Sequence, residues 1–296
     1  MGAFHSGFVT VVGRPNVGKS TLVNRAVGTK VSIVSDRPQT TRSEIRGVRT
    51  TPTTQIVFLD TPGLHRPRTL LGERTNARAR ATLGEVDAVC QVVDATATIG
   101  AGDRFVAELA SGVGTPVVLA LNKIDAASKG QVARQLVAAA ELGDFEAFVP
   151  VSAVLGDGVD ALLSELERRL PEGPRYYPEG MTTDQPEAVL AGELLREKLL
   201  RVARDELPHS IAVTVEELEP EGRDEDLLRF RAVVRVERES QKGIVIGAGG
   251  SVLRDAGTEA RLELEALLGA RVYLETFVTV DPRWQHKASA LDRLGF

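Results

Sequence analysis

The stretch that decides the fold is GRPNVGKS, Gly13–Ser20. It has the spacing G-x-x-x-x-G-K-S, it follows the apolar run FVTVV, and it leads into KSTLVNRAV, which has the pattern of a helix. Glycines at this spacing let backbone N–H groups point at phosphate oxygens, the lysine neutralises phosphate charge, and the serine hydroxyl is a ligand for Mg²⁺. A helix that begins at Lys19 turns the positive end of its dipole toward the same point. The stretch therefore predicts a phosphate-binding loop between a strand and a helix.

Apolar runs alternate with helical patterns on both sides of this loop, as far as residue 170. Buried and mostly parallel strands are indicated by FVTVVG, TQIVFLD, VDAVCQVVD, PVVLALNK and EAFVPVS. The run SEIRGVRT precedes TQIVFLD and predicts an antiparallel hairpin that turns around Thr50–Thr53. We expect an α/β fold in which a mostly parallel sheet carries helices on both faces.

The composition changes after residue 170. Residues 171–186, PEGPRYYPEGMTTDQP, hold four prolines and predict a linker. Beyond it the pattern is helix, strand, strand, glycine-rich loop, helix and strand, followed by a short helix in DPRWQHKASALDRLG. We predict a first domain over residues 1–172, a linker over 173–187 and a second, α+β domain over 188–296.

Charge and composition exclude several classes of protein. Residues 181–296 contain 16 Lys and Arg against 22 Asp and Glu, a net charge of −6 within a chain of −5. Nucleic-acid binding would therefore need a local site rather than a basic domain. The single cysteine, Cys90, lies in an apolar run and is expected to be a buried thiol. No apolar stretch reaches the ~20 residues of a membrane span, and MGAFHSGFVTVVG lacks the features of a signal peptide, so we expect a cytoplasmic protein.

Two motifs extend the phosphate site and specify the base. The motif DTPG, Asp60–Gly63, follows the strand TQIVFLD, so that Asp60 can hold Mg²⁺ through a water and Gly63 can donate its N–H to a γ-phosphate. The motif NKID, Asn122–Asp125, follows PVVLALNK. Guanine presents two adjacent N–H donors that the Asp125 carboxylate can accept together, and adenine lacks that pair.

Four further residues complete the predicted base site. Asn122 can meet the other edge of guanine, and the stem of Lys123 can cover its face. Ser152–Ala153 follows EAFVPV and fits a loop that offers a backbone N–H to guanine O6. An aspartate at position 125 is otherwise explained as a helix cap, but its order after the phosphate loop and DTPG favours a guanine nucleotide.

This order of motifs resembles that of the P-loop GTPases. The resemblance identifies SDRPQTTRS, residues 35–43, as the switch segment whose threonine completes the Mg²⁺ shell. Thr40 and Thr41 are both candidates, and we prefer Thr41 because related bacterial GTPases carry a TTR triplet. The ligands implied are GTP, GDP and Mg²⁺, with Ser20, Thr41 and, through water, Asp60 at the metal. The implied GTP-binding residues are Gly13, Arg14, Pro15, Asn16, Val17, Gly18, Lys19, Ser20, Thr21, Asp60, Thr61, Pro62, Gly63, Asn122, Lys123, Asp125, Ser152 and Ala153, and the implied catalytic residues are Lys19, Thr41, Gly63 and Asn16.

Position 64 departs from the Ras-like enzymes, which place there a glutamine that orients the attacking water. Leu64 cannot do so, and the water must be positioned by backbone, another residue, a cation or a partner. In potassium-dependent GTPases that resemble this chain, the asparagine equivalent to Asn16 helps to bind K⁺. We therefore expect slow GTP hydrolysis that K⁺ stimulates.

A second glycine-rich stretch, KGIVIGAGGS, raises the question of a second phosphate site. The dinucleotide fingerprint G-x-G-x-x-G fails because Val252 occupies its last position, and no Lys-Ser pair follows as in a second P-loop. A plain strand-to-helix turn is the remaining simple alternative. The stretch matches G-x-x-G at Gly247–Gly250, between the apolar IVI and a helix, which is the arrangement of a KH domain that binds single-stranded RNA.

The bases of such an RNA are expected in an apolar groove beside the loop. We expect this groove to be formed by Ile244, Ile246 and the helix that carries Val252 and Leu253. The predicted RNA-binding residues are Lys242, Ile244, Ile246, Gly247, Ala248, Gly249, Gly250, Ser251 and Arg254.

From about Phe8 to Phe296 the chain resembles the Era family of bacterial GTPases. The likeness rests on GRPNVGKST, RPQTTR, DTPG, NKID, SA, ELPHS, ERESQKGIVIGAGG and the ending DPRWQHKASALDRLGF. It implies a GTP-binding domain joined to a type II KH domain, and a GTP-hydrolysing switch that binds 16S rRNA near its 3′ end and assists maturation of the 30S subunit. Some members associate with the inner face of the membrane. We expect a monomer.

The G-x-x-G loop departs from its relatives, which usually carry a lysine or another polar residue there. Ala248 and Gly249 stand in those places, and the nearby cations are Lys242, Arg254, Arg238 and Arg235. Since RNA affinity depends on phosphate neutralisation, we expect modest or strongly salt-dependent binding.

Two other functions stay open at this stage. Because Leu64 cannot orient the attacking water, one alternative is an RNA-binding chaperone in which the nucleotide only stabilises the protein. A GTPase of tRNA modification or of large-subunit assembly is disfavoured by the KH module and by the single GTP-binding domain. Trp284 fits the core or RNA stacking equally, His286 is expected at the surface, and residues 216–226 are expected to form a solvated hairpin tip.

Overall fold

A computed structural model shows the chain as two compact units. The described residues are 3–35, 37, 40–42, 44–64, 67, 69–202, 207–218 and 227–296, with the backbone alone at 208–209. The first unit takes the described residues within 1–32, 41–68 and 72–184, and the second unit takes those within 33–40, 69–71 and 185–296. The segment 35–43, predicted as a switch, is divided between the units, and its positions 36, 38, 39 and 43 lie outside the described residues.

The first unit is built on one six-stranded sheet. Its order is β2-β3-β1-β4-β5-β6, and every neighbouring pair is parallel except β2 with β3, which form the predicted hairpin. Every residue of β3 and β4 is buried, which explains why most of their residues are apolar. The strands are β1 (His5–Val12), β2 (Ile45–Thr50), β3 (Thr54–Asp60), β4 (Ala88–Asp94), β5 (Val117–Asn122) and β6 (Ala147–Pro150).

Helices cover both faces of this sheet, which confirms the predicted α/β fold. On one face, Leu22 and Leu162 pack with Val11 and Cys90 of the sheet. On the other, helix and strand side chains including Val106 share a second core. The helices are α1 (Lys19–Val27), α2 (Leu70–Leu83), α3 (Ala101–Ser111), α4 (Lys129–Ala140) and α5 (Val159–Glu167).

The direction of the strands gathers the predicted site at one edge. Because β1, β3, β4 and β5 run parallel, their carboxyl ends lie at the same edge of the sheet. Asp60, Asp94 and Asn122 are the last residues of β3, β4 and β5. The phosphate loop follows β1 at that edge.

The proline-rich segment after α5 is fixed to the first unit by a buried glutamine. The Gln55 side chain is fully buried, its Oε1 accepts the N–H groups of Tyr176 (2.7 Å) and Tyr177 (3.0 Å), and its Nε2 donates to the Tyr177 carbonyl (2.9 Å). Further along, the Thr182 carbonyl accepts the N–H of Val48 on edge strand β2 at 2.8 Å. Much of the segment that composition predicts to be a linker therefore lies along the first unit.

The second unit packs helices against one face of a three-stranded sheet. Its order is β7-β8-β9, with β8 antiparallel to β7 and parallel to β9. Along β8, Phe230, Ala232 and Val234 are fully buried in the core, and the residues between them point the other way. The elements are α6 (Glu187–Val202), α7 (Leu207–Ser210), β7 (Ala212–Leu218), β8 (Leu227–Val236), α8 (Glu239–Ile246), α9 (Ser251–Leu268), β9 (Arg271–Val280) and α10 (Ala288–Arg293).

One helix of this unit was not predicted. The apolar IVI before the second glycine loop is the end of helix α8, which is absent from the predicted order of strand, strand, glycine-rich loop and helix. Gln241 marks the start of the helix, because its Oε1 accepts the N–H of Arg238 at 3.0 Å. A short run of β-branched residues does not distinguish helix from strand, and only Val245 of the three apolar residues is buried, whereas Ile244 is 53% exposed.

Single residues of uncertain role at the sequence level are placed clearly. Trp284 is fully buried, its Nε1 donates to the Ser210 carbonyl at 2.9 Å, and its ring stacks on Phe296, which assigns it to the core. His286 is exposed, as predicted. Cys90 is buried, and burial raises the pKa of its thiol to about 12, as expected for an inert core thiol.

Two further expectations concern a hairpin tip and a membrane-spanning segment. The hairpin tip predicted at residues 216–226 lies outside the described residues from position 219 onward. Across the part of the chain that the structure describes, no helix is both long enough and apolar enough to cross a membrane.

Candidate functional site

The phosphate loop closes around the side chain of Lys19. This side chain is 6% exposed, and its Nζ donates to the carbonyls of Gly13 (3.2 Å) and Arg14 (2.9 Å). Burial lowers the pKa of Lys19 to about 8, an effect that the nearby Asp60 carboxylate opposes. A buried cation that is bound to loop carbonyls can exchange them for phosphate oxygens, which make stronger charge-assisted hydrogen bonds.

Asp60, Ser20 and Thr41 come together where the sequence predicts a metal. Ser20 Oγ lies 2.9 Å from Thr41 Oγ1, whereas Thr40 Oγ1 donates to the carbonyl of Arg37. Asp60 is fully buried, and among the described residues neither of its carboxylate oxygens has a hydrogen-bond partner. Two such oxygens beside two hydroxyls are the hard oxygen donors that Mg²⁺ prefers, so the residues present fit the metal.

The electrostatics of Asp60 agree with this fit. Burial raises the pKa of Asp60, because the charged carboxylate loses its hydration. The neighbouring Ser20, Lys19, Ser32 and Thr41 oppose that shift. Lys19 acts through its charge, and Ser20, Ser32 and Thr41 act through their hydroxyls. None of the described residues, however, meets the geometry of a hydrogen bond to this carboxylate. A divalent cation would stabilise the charged form.

Ser32 belongs to this centre, and no sequence motif singles it out. Its side chain is 1% exposed, and its Oγ has no hydrogen-bond partner in the described part of the chain. Asn24 of α1 fixes the backbone here, because its Oδ1 accepts the N–H groups of Val31 and Ser32 (both 2.9 Å) and its Nδ2 donates to the Ser32 carbonyl (2.7 Å). A rigidly held hydroxyl near Asp60 suits a contact to water on a metal.

Asn122 joins the phosphate loop to the predicted base loop. Its side chain is 2% exposed, its Nδ2 donates to the Val17 carbonyl (2.9 Å), and its Oδ1 accepts the N–H of Ala153 (3.0 Å). The N–H of Ser152 donates to the Asp157 carbonyl (2.8 Å). Both backbone N–H groups of the predicted base loop are thus engaged within the protein, and the structure gives Asn122 a connecting position that the sequence did not predict.

Lys123 makes a second connection at the same edge. Its Nζ donates to the carbonyl of Asn16 (2.8 Å) and to Asp94 Oδ2 (2.6 Å). Burial favours the neutral form of Asp94, but hydrogen bonds from Lys123 and Thr96 outweigh it and lower the pKa of Asp94. The sequence did not single out Asp94, although the end of a parallel strand was its signal. Asp125 is exposed just beyond these residues.

Helix α3 and the DTPG motif hold the outer side of the phosphate loop. Arg14 Nε donates to the buried carboxylate of Asp103 (2.8 Å), whose other oxygen accepts the N–H of Gly100 (2.9 Å). Gly63 lies against Pro15, so that a Cβ at position 63 would be 2.9 Å from the Pro15 nitrogen. Only glycine fits this approach.

Two residues that bear on hydrolysis differ in their placement. Leu64 is 1% exposed and packs in the core under the sheet, so its side chain cannot orient a water. Asn16 is exposed in a left-handed conformation, with φ of 65°, at the tip of the phosphate loop.

Part of the predicted switch segment belongs to the second unit. The N–H of Val34 donates to Glu197 Oε1 at 3.1 Å, and Arg196 donates to the carbonyl of Thr40. Arg196 is 2% exposed although it lies on α6. Sequence reasoning missed this contact, because a lone arginine in an amphipathic helix ordinarily indicates a solvated face.

The second glycine loop connects α8 to α9 and has little room for side chains. Gly247 has φ of 74°, and a Cβ there would lie 2.5 Å from the Val252 side chain, so glycine is required. Arg254 donates to the Gly249 carbonyl at 2.7 Å. The loop is exposed at Ala248 and Gly249, which allows the close approach of a sugar-phosphate backbone.

A groove of about 300 Å³ lies beside this loop, between α9 and β9. Its lining comprises Gly250, Leu253, Arg254, Gly257, Thr258, Arg261, Leu274 and Thr276. Of the residues predicted to form the groove, Leu253 lines it, whereas Val252 does not, and Ile244 and Ile246 lie on α8 away from it. Gly250 and Arg254, which were predicted to bind RNA, also line the groove. Lys242 is half-buried on α8, and Ser251 begins α9. The residues of α9 beyond 254 were missed, because a helical pattern does not reveal which face borders a distant strand.

We predict that Asp94→Asn weakens guanine-nucleotide binding, although Asp94 lies outside every nucleotide motif. Lys123 would lose a partly exposed ion pair, for which about two- to fivefold in Kd is expected. Titration with a fluorescent GDP analogue measures the change. Asp160→Asn, an exposed carboxylate on α5, is the matched control, and an unchanged Kd for Asp94→Asn would contradict the assignment.

We also predict that Ser32→Ala weakens nucleotide binding in Mg²⁺ but not in EDTA. The substitution removes a buried hydroxyl near Asp60 and leaves the backbone bonds of Asn24 in place. Binding titrations in the two buffers separate a metal contact from a packing defect, because a defect would weaken binding in both. Ser164→Ala on the first unit serves as the control.

Comparison with known proteins identifies both parts of the chain. A family model described as 50S ribosome-binding GTPase matches residues 8–123, and one described as KH domain matches residues 206–285. GTPase Era of Mycobacterium avium (strain 104) is 52% identical over 299 residues, and GTPase Era of Mycobacterium tuberculosis (strain ATCC 25618 / H37Rv) is 53% identical over 301 residues. In each case the match covers 100% of both chains.

Two solved structures also match over almost the whole of both chains. A variant of Era from Aquifex aeolicus bound to GDP·AlF4⁻ is 37% identical with a TM-score of 0.95, and Era in complex with MgGDPNP and nucleotides 1506–1542 of 16S ribosomal RNA is 37% identical with a TM-score of 0.93. Each match covers 99% of this chain and 99% of the other. Full-length likeness in sequence and in fold, together with the KH match that follows the GTPase match, shows that the chain belongs to the Era family of GTPases.

Proposed function

We propose that this chain hydrolyses GTP to GDP and phosphate, binds 16S rRNA near its 3′ end through its KH domain, and assists maturation of the 30S subunit. The observation that carries the proposal is the cluster of Asp60, Ser20 and Thr41 at the carboxyl edge of the sheet, whose oxygen atoms fit a Mg²⁺ ion. Support for the ligands comes from two relatives, which were solved with GDP·AlF4⁻ and with MgGDPNP.

The residues of the phosphate site divide the work of holding the nucleotide. Lys19 exchanges its two loop carbonyls for phosphate oxygens, and Gly63 offers its backbone N–H to the γ-phosphate. Ser20 and Thr41, whose hydroxyl oxygens lie 2.9 Å apart, would be ligands for Mg²⁺, and the Asp60 carboxylate would hold it through a water. When bound, Mg²⁺ supplies charge neutralisation between phosphate oxygens.

Recognition of guanine is assigned to the loops after β5 and β6. Asp125 accepts the two adjacent donors of the base, and the stem of Lys123 covers its face. Asn122 keeps both loops in register with the phosphate loop, through its bonds to Val17 and Ala153. The N–H groups of Ser152 and Ala153 are bonded to Asp157 and Asn122, so we assign these two residues to the support of the base loop and not to guanine O6.

RNA binding is assigned to the glycine loop and to the groove between α9 and β9. Gly247 allows the close approach of the RNA backbone, and Arg254 donates to the Gly249 carbonyl, which places its guanidinium at the loop. Arg254 can supply a phosphate contact that Ala248 cannot. The relative solved with nucleotides 1506–1542 of 16S ribosomal RNA supports this assignment.

We propose the domain bounds that the sequence suggests, namely a GTP-binding domain over residues 1–172, a linker over 173–187 and a KH domain over 188–296. The family matches at residues 8–123 and 206–285 fall inside the first and last of these ranges. We also propose a monomer in the cytoplasm with peripheral association at the inner face of the membrane, as the family likeness implies.

We predict that Gly247→Asp abolishes RNA binding and leaves nucleotide binding intact. The substitution adds a side chain where no room exists and a negative charge where phosphates would lie. Fluorescence anisotropy with an RNA of the sequence of 16S nucleotides 1506–1542, in GTP analogue, in GDP and without nucleotide, measures the effect. Gly269→Asp, at the exposed end of α9 where a Cβ has open space, is the control. RNA affinity retained by Gly247→Asp would refute the loop assignment.

We predict that GTP turnover is slow and faster in KCl than in NaCl, since Leu64 is buried and Asn16 is exposed at the phosphate loop. Phosphate release under multiple-turnover conditions, with and without RNA, tests this. Equal rates of GTP hydrolysis in the two salts would contradict the predicted potassium site. A rate indistinguishable from the protein-free control would instead favour an RNA-binding chaperone that the nucleotide only stabilises.

A further inference from the structure

One face of the sheet in the second unit is open except at one end, where Ala212 of β7 is buried with Trp284 and with Leu291 of α10. We name it the outer sheet face and define it by the outward residues Arg229, Arg231, Val233 and Arg235 of β8 and Arg271, Tyr273, Glu275, Phe277 and Thr279 of β9. Tyr273 is 45% exposed and Phe277 is 52% exposed. Two exposed aromatic rings on one face of one strand are typical of an interaction surface, since rings of this size bury much apolar area when covered.

Arginine side chains accompany both rings. Arg229 lies opposite Tyr273 in the strand register, with its guanidinium 5.3 Å from the ring centroid. Arg231 on the same strand places its guanidinium 6.0 Å from the centroid of Phe277. These cation–π contacts orient the rings and bring flat guanidinium groups beside them. Aromatic rings and guanidinium planes are the two surfaces on which proteins stack unpaired RNA bases.

The charge of this face runs against that of the chain. Four arginines face outward on β8 and β9 in a protein of net charge −5. Two carboxylates face the same way: Glu275 of β9 is paired with Arg231 at 3.0 Å, and Glu216 of β7 lies opposite Arg231 in the strand register. Burial and then the neighbouring Arg293 lower the pKa of Arg235, whereas Asp281 and Glu216 oppose that shift. The four arginines outnumber the outward carboxylates of the sheet, which favours an anionic partner.

The edge position of β9 connects the outer sheet face to the groove beside the glycine loop. Leu274 and Thr276 of β9 line the groove, and Tyr273, Glu275 and Phe277 alternate with them on the opposite side of the same strand. Because β9 is the edge strand of its sheet, no further strand separates the two surfaces among the described residues. One RNA chain can therefore pass from the groove around this edge.

We propose that the outer sheet face is a second RNA-binding surface, on which unpaired bases stack on Tyr273 and Phe277 while the arginines meet the phosphates. The two rings are four residues apart, about 13 Å along the strand, so each takes a separate base. The glycine loop of a KH domain clamps about four nucleotides, which leaves the rest of a longer RNA to be bound elsewhere. This proposal rests on the proposed function, in that the chain must bind rRNA at all.

The test compares a long and a short RNA on the full chain by fluorescence anisotropy. The long RNA has the sequence of 16S nucleotides 1506–1542, and the short ones are hexanucleotides with sequences from its 3′ end. The double variant Tyr273→Leu with Phe277→Leu keeps apolar side chains but removes both rings. We expect it to bind the long RNA about tenfold more weakly and the tightest hexanucleotide as well as the unmodified protein does.

Further variants separate stacking from folding defects. Phe277→Trp retains a stacking plane and should keep the affinity, whereas Phe277→Leu alone should lose part of it. Val137→Ala, on an exposed apolar residue of α4 in the first unit, is the control. Irradiation of the long complex at 254 nm followed by peptide mapping gives a readout independent of affinity, and we expect cross-links on the peptide that contains Tyr273 and Phe277.

The outcomes distinguish this proposal from the one on which it rests. If the unmodified protein binds neither RNA, the proposed function fails. If it binds the long RNA and the double variant binds equally well without cross-links at β9, the glycine loop suffices and the outer sheet face is not an RNA surface. A dimer of the unmodified protein that the double variant converts to a monomer would show that a second copy covers this face, and would equally overturn the proposal.

Discussion

The nucleotide site depends on one amide side chain. Asn122 binds the carbonyl of Val17 with its nitrogen and the N–H of Ala153 with its oxygen, and thereby joins loops that are more than a hundred residues apart in the chain. Lys123 makes a similar connection, because its Nζ donates to both the Asn16 carbonyl and the Asp94 carboxylate. Because the strands are parallel, their ends already lie at one edge, and these short polar bridges then hold the loops at fixed distances. Base and phosphate recognition therefore rest on one rigid frame.

The two halves of this site differ in how well their polar groups are satisfied. At the base loop the buried amide and N–H groups are paired within the protein, so this half is formed without ligand. At the phosphate loop, burial shifts Lys19 and Asp60 in opposite directions, each toward its neutral form, and the Asp60 oxygens have no hydrogen-bond partner among the described residues. A ligand that brings both an anion and a divalent cation satisfies both groups at once, which favours the metal–nucleotide complex over either component alone.

The sequence predicted most of this arrangement, because its signals are local. The phosphate loop, DTPG and NKID each follow an apolar strand, and strand ends in a parallel sheet converge whatever the rest of the chain does. The misses have a common physical cause. Asp94, Ser32 and Arg196 act through contacts with residues distant in sequence, and such contacts leave no periodicity. Helix α8 was missed for a different reason, since its short apolar run IVI fits a helix and a strand equally well.

The proline-rich segment has a consequence for the solubility of the first unit. Strand β2 is the edge of the six-stranded sheet, and an open edge is a template for pairing with another molecule. Residues 176–182 lie along this part of the unit and occupy both the amide of Gln55 and the N–H of Val48. A fragment trimmed at residue 172 would lose three of the four hydrogen bonds of the Gln55 amide and the partner of the Val48 N–H on the edge strand. The smallest well-behaved GTP-binding fragment should therefore extend beyond the apparent domain boundary and carry this covering segment with it.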